Sequence, residues 1–205
     1  MRSRLTVLTI AAAALLAHSG VAQAQTAGVT GGANLSTFSL SPDQGVTFRR
    51  QTGWAAGIFF GSPPEYGVAL QPEILLSMKG TRDSATPALG GSYQLMYLDI
   101  PILFRVFPVQ LGNVRVYEFG GPFFSFLLHT CGTPNAGGAC QDTSGQFTGR
   151  DAGFTVGAGI DVGRLMVDVR GNFGIANIGD AAVTDIKFHT RAISVMGGFR
   201  FKYDH

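Results

Sequence analysis

Beyond its first two dozen residues the chain has no run of about 18 apolar residues, which excludes a membrane-spanning helix. Charge is scarce: 14% of residues are charged, against about 25% in an ordinary soluble domain. A surplus of one sign is also missing. The 15 Lys and Arg face 13 Asp and Glu, and the difference is Arg2 and Arg4 near the N-terminus. A neutral remainder argues against a nucleic-acid partner, which needs a basic surface. The sequence holds no phosphate-binding P-loop, dinucleotide fingerprint, His-Glu-x-x-His or Cys-x-x-Cys, and no Gly-x-Ser-x-Gly elbow. That leaves the common cofactor, metal and serine-hydrolase chemistries without a sequence signature. Tryptophan occurs once, whereas Phe occurs 16 times and Gly 29 times.

The N-terminus carries an address. Arg2 and Arg4 precede the apolar stretch Leu5 to Leu16, and Ala22-Gln23-Ala24 follows. Positive, apolar and Ala-x-Ala segments in that order predict a secretory signal peptide over residues 1–24, too short to span a bilayer. Residues 25–205 are then one exported domain. Mean hydropathy over the whole chain is positive. An exported, apolar chain without a spanning helix either builds a large soluble core or faces lipid as a closed β-barrel, because in a bilayer every backbone group must be paired internally.

The periodicity is that of strands. Val68, Leu70, Pro72, Ile74, Leu76 and Met78 share one face, while Ala69, Gln71, Glu73, Leu75, Ser77 and Lys79 share the other. A helix would scatter Gln71, Glu73 and Lys79 around its circumference. The same period of two runs through Tyr93 to Phe107, Phe154 to Val162, Leu165 to Ile175 and Ile193 to Tyr203. It is weaker in Gly28 to Phe38, Thr52 to Phe60 and Val114 to Leu128. These make eight strands, long enough for a tilted crossing of roughly 9–11 residues. The connections alternate: about Ser39 to Gln51, Thr81 to Ser92, His129 to Arg150 and Ala176 to His189 are long. Gly61 to Gly67, Pro108 to Asn113 and Gly163-Arg164 are short. Outer-membrane barrels sort their connections this way, with long loops outside and short turns in the periplasm. Pro72, Pro101 and Pro122 fall inside strands, where proline cannot donate to a ladder, so bulges or local breaks are expected there.

Five blocks in order, GVTGGANLSTF from Gly28, LQPEILLSMKG from Leu70, YLDIPILF from Tyr97, YEFGGPFFSFLL from Tyr117 and SVMGGFRFKY from Ser194, resemble the bacterial outer membrane β-barrel family often labelled "porin family protein". The resemblance implies an all-β, eight-stranded antiparallel up-and-down transmembrane barrel of the OmpX type in the bacterial outer membrane. It implies no defined substrate. Such barrels usually end on an aromatic residue that the outer membrane assembly machinery reads; here Phe201 and Tyr203 fit, but Asp204 and His205 follow.

The wet faces carry Glu73, Lys79, Asp99, Arg105, Asp161, Asp168, Arg170, Arg200 and Lys202. Eight strands leave an interior just wide enough to be filled by side chains. The expectation is therefore a paired lumen charge network with no open pore, since an unpaired buried charge is costly. Function, if more than structural, then lies in the extracellular loops. Cys131 and Cys140 flank a Gly- and Pro-rich stretch in the longest loop, and in an exported chain they are expected to form a disulfide. A metal site from these thiols and His129 is the weaker reading.

Catalysis by Ser125 with His129 or His189 and Asp185 lacks any motif, so no enzyme, cofactor or metal is expected. The expected partners are outer membrane lipid, the assembly machinery and an extracellular ligand or surface met by the loops, with the chain a monomer. The competing reading is a soluble periplasmic lipocalin-like barrel binding a small apolar ligand, and a lipid-modifying outer-membrane enzyme ranks lower. The lipocalin-like barrel would turn its apolar faces inward. The direction of Leu70, Ile74, Ile100, Phe104, Val156 and Val167 therefore decides between it and a membrane barrel.

Overall fold

The computed structural model describes residues 26–41, 48–62, 67–84, 91–134, 139–143, 147–178 and 187–202; the expected leader lies outside them. Among the described residues every regular element is a strand. In chain order they are β1 (Thr26–Ser41), β2 (Phe48–Gly61), β3 (Val68–Ser84), β4 (Gly91–Leu111), β5 (Val114–Pro134), β6 (Arg150–Val162), β7 (Leu165–Gly174) and β8 (Lys187–Lys202). Each pairs antiparallel with its sequence neighbours, and β1 pairs with β8 from Thr26↔Lys202 to Ser41↔Lys187, closing an eight-stranded up-and-down barrel. Closure removes the unpaired edges that a bilayer would not tolerate. Two connections at one end are two-residue hairpins, Gly112-Asn113 and Gly163-Arg164. Both glycines hold φ of 60°, the left-handed backbone such tight hairpins require. This is the turn end, and the opposite one is the loop end.

The alternation is inside out relative to a soluble protein. Leu70, Ile74, Phe104, Val156 and Val167 point outward at 41–54% exposure, and Ile100 is half-buried on the same face. Glu73 and Asp161 are fully buried in the lumen. Among the described residues thirty large apolar side chains are exposed and twenty polar or charged ones are buried. In water that outer face would forgo roughly 1.5–3 kcal/mol per large apolar side chain. In lipid it is the favourable arrangement, so the soluble lipocalin-like alternative fails.

Pro72, Pro101 and Pro122 interrupt ladders without shifting them. The β3–β4 ladder keeps one register but skips Glu73 and Ile74, opposite Pro101 and Ile100. The β4–β5 ladder likewise skips Ile102 and Leu103, opposite Pro122 and Gly121, and the β2–β3 ladder stops at Phe59↔Glu73, just before Pro72. True register shifts lie between Met96 and Tyr97 and between Val106 and Val109, the second spanning Pro108. On β2 two more lie between Phe48 and Arg49 and between Arg50 and Ala55. There the inward position is Gly53, and Asn34 Nδ2 and Ser36 Oγ of β1 reach past β2 to the Met78 and Gly80 carbonyls of β3, at 3.1 and 3.0 Å. A Cβ on Gly53 would collide with the Met78 carbonyl.

The loops are less sharply sorted than the sequence suggested. The strands continue past the expected crossing; β4 and β5 each span 21 residues. Much of the expected long loops is thus hairpin ladder, and the β1–β2 connection shrinks to residues 42–47, no longer than 62–67 at the other end. The β5–β6 and β7–β8 connections stay long.

Candidate functional site

The inward faces of the eight strands meet in a filled lumen, layered along the barrel axis. At its centre Arg170 of β7 reaches Glu73 of β3 at 2.8 Å and its own strand neighbour Asp168 at 2.8 Å. Strands β3 and β7 are four apart in a ring of eight, so the Arg170–Glu73 pair spans the full diameter. All three side chains are at most 3% exposed. Tyr117 Oη donates to Asp168 Oδ2 at 3.3 Å, and the Arg170 guanidinium lies 5.3 Å from the Phe119 ring centroid. A charge-assisted, diametrical contact of this kind is worth more inside than in water, because no solvent competes for it.

Toward the turn end the network continues through Gln71. Its Nε2 donates to Glu73 Oε1 at 2.8 Å, and its Oε1 accepts from Arg105 Nη1 at 2.9 Å. Arg105 also reaches Asp161 at 3.0 Å, and the same carboxylate is met by Arg115 at 3.2 Å and Arg200 at 2.8 Å. Arg105 stacks 3.6 Å from the Tyr117 ring centroid, inside an apolar layer of Ala69, Leu103, Phe107, Tyr117 and Phe119. The aromatic faces keep the guanidinium planes in place.

Toward the loop end Lys79 pairs with Asp99 at 2.8 Å, Ser77 Oγ donates to the same carboxylate at 2.6 Å, and Thr190 Oγ1 donates to Asp151 at 2.6 Å. Above them sits an apolar cap. Ile178 of the β7–β8 loop is fully buried with Phe38, Leu95 and Tyr97, and Phe147 of the β5–β6 loop lies 6.2 Å from Phe38 and 5.9 Å from Tyr93 between ring centroids. The two loops hold each other there, Thr148 N donating to the Ile178 carbonyl at 2.7 Å. Beside the central layer the free space is about 20 Å³, room for one or two waters at most.

All eight lumen residues singled out in the sequence, Glu73, Lys79, Asp99, Arg105, Asp161, Asp168, Arg170 and Arg200, therefore face inward and are ion-paired. Lys202 ends β8, and its side chain lies outside the described residues. The sequence reading missed Arg115, Asp151, Gln71 as a bridge, and the cap. Arg115 shares the inward parity of Tyr117 and Phe119, but aromatics on both faces of β5 hide its alternation. The cap residues come from loops, where no periodicity points inward.

Cys131 and Cys140 are joined as a disulfide, with Cα atoms 5.3 Å apart, so these thiols are not free to bind a metal. Among the described residues no cluster of His, Cys, Asp and Glu could hold one. Ser125 is buried in the lumen, whereas His129, four residues along β5 and thus roughly 13 Å away on an extended strand, is exposed. They cannot share a hydrogen bond. His189 Nδ1 is engaged with the Ala176 carbonyl at 3.0 Å, and Asp185 lies outside the described residues.

A closed ring of eight antiparallel strands, apolar outside and ion-paired within, defines a transmembrane barrel of the outer membrane. The chain belongs to the outer membrane protein beta-barrel domain family, which it matches over residues 22–180. Comparison with curated proteins finds no match. Among solved structures it is similar to the outer membrane protein OprG from Pseudomonas aeruginosa, with a TM-score of 0.53 and 11% identity over 87% of this chain and 97% of that one. Neisserial surface protein A (NspA) gives 0.52 and 12%, over 85% and 97%. At such identities the likeness concerns the fold.

Proposed function

We propose that this protein is a closed outer-membrane barrel whose lumen serves as a rigid, self-compensated support, and that its interactions are made by the loop end. The observation that carries this reading is the Arg170–Glu73 pair, which bridges opposite walls of the lumen at 2.8 Å with both side chains buried. An open channel needs roughly sixteen strands, and this barrel has half that number with its centre occupied. Proteoliposomes carrying the purified barrel should swell in a monosaccharide solution no faster than empty ones; swelling at the rate of a general porin would overturn the closed lumen.

The termini and two-residue hairpins then lie in the periplasm and the loops outside. There the disulfide constrains the β5–β6 loop, and the Ile178–Phe147 cap ties it to the β7–β8 loop, giving a fixed platform for an extracellular ligand or surface. After reduction, a membrane-impermeant maleimide should label Cys131 and Cys140 on intact cells; labelling only after the outer membrane is opened would reverse the orientation. Residues 1–24 act as a leader removed before assembly, and the barrel is inserted by the outer membrane assembly machinery as a monomer. Phe201, outward on β8, supplies a terminal aromatic, while Tyr203, Asp204 and His205 lie outside the described residues. Catalysis has no support in the placement of Ser125, His129 and His189.

A further inference from the structure

Charge in the lumen is balanced as a whole and unbalanced by layer. Among the described lumen residues five cations, Lys79, Arg105, Arg115, Arg170 and Arg200, match five carboxylates, Glu73, Asp99, Asp151, Asp161 and Asp168. The loop-end layer holds Lys79 against Asp99 and Asp151, and the central layer holds Arg170 against Glu73 and Asp168. The turn-end layer holds Asp161 against three guanidiniums. Two positive charges there have no carboxylate of their own.

Beside these arginines lies a cavity of about 60 Å³, lined by Arg105, Arg115, Arg200, Gln71, Ser62 and Phe107 among others. One water needs roughly 10–15 Å³ by this measure, so the space suits a few waters or one tetrahedral oxyanion. Arg105 is 97% buried, since only 3% of its surface is exposed, and its Nε has no hydrogen-bond partner. A buried, unsatisfied N–H on a cation is costly and calls for an acceptor. Arg115 and Arg200 keep 24% and 15% of their side chains accessible, so the site is reached from solvent. Planar guanidinium forks are the groups that bind phosphate-type anions in bidentate fashion.

We propose that Arg105, Arg115 and Arg200 form, at the turn-end mouth of the barrel, a binding site for a small oxyanion of the phosphate type. The anion is either free in the periplasm or the headgroup phosphate of an inner-leaflet phospholipid, since the mouth lies at that interface in the orientation proposed above. The site itself rests on the geometry and not on that orientation.

The test uses the full mature barrel in non-ionic detergent, titrated with inorganic phosphate and followed by calorimetry and by the heat-induced gel shift. The native barrel should bind one phosphate and unfold at a higher temperature when it is present. Arg115→Gln and Arg200→Gln should each weaken binding roughly tenfold or more, the loss of one charge-assisted contact. Arg164→Gln removes an exposed charge on the β6–β7 hairpin at the same end and should leave binding unchanged. Asp161→Asn removes the competing carboxylate and should tighten it, a gain that misfolding would not produce. Absence of phosphate binding to the native barrel, or equal weakening by Arg164→Gln, would overturn the site. Phospholipid separates the sources: in non-ionic detergent the added phosphate should bind, whereas nanodiscs of phosphatidylglycerol should displace it if the headgroup phosphate is the natural occupant. If free phosphate binds equally in detergent and in nanodiscs, the anion is the soluble one.

Discussion

At the centre of the lumen one guanidinium, Arg170, stands between two carboxylates, Glu73 and Asp168; at the turn end one carboxylate, Asp161, stands among three guanidiniums. The residue types are the same and the ratio is inverted. The central triad is sealed from solvent and bridges opposite walls, so each member is there at the expense of its hydration and depends on the others. The turn-end cluster is partly wet, and its carboxylate has spare partners. Removing the lone cation should therefore be severe in the first place, and removing one of the three cations mild in the second.

The largest effect is expected from Arg170→Met, which leaves two buried carboxylates without a cation. It should cost about 3–5 kcal/mol, read as a fall in the urea midpoint of the folded, heat-modifiable band. Next comes a charge on the opposite face of the same strand. Val169→Arg, mid-way along β7 and exposed to lipid, should cost about 2–4 kcal/mol in the same assay. An effect near zero would mean that this face is not in the membrane. Lys79→Met removes one of two groups that hold Asp99, leaving Ser77, and should cost about 1.5–3 kcal/mol. Arg200→Gln should cost about 1 kcal/mol or less, since Asp161 keeps Arg105 and Arg115. If Arg200→Gln proved as damaging as Arg170→Met, the contrast between the two layers would collapse.

The contrast was only half legible in the sequence. On β3 and β7 the charged residues alternate with aliphatic ones, so Glu73, Asp168 and Arg170 could be assigned to one wet face by counting. On β5 the inward residues Tyr117, Phe119 and Phe123 are as apolar as their outward neighbours Phe124 and Phe126. A period of two in hydropathy vanishes there, and Arg115 went unassigned with it. The pairing across the diameter was also hidden. Glu73 and Arg170 are 97 residues apart, and only closure of the ring between β1 and β8 brings their strands face to face. Strand ends are hidden in the sequence for another reason. Ladder pairing between β4 and β5 continues from Met96↔His129 to Gly91↔Pro134, through polar and glycine-containing sequence that reads as loop. The prolines were expected at bulges or breaks. The ladders break beside them because a missing N–H deletes one bond, while closure on both sides holds the register.

A compensated, diametrical ion pair occupies the centre of the lumen. Planar-bilayer recording on the purified native barrel tests that most directly. The prediction is no stable open conductance across a voltage ramp. A steady, large conductance from protein shown to be folded by its heat-modifiable migration would contradict it.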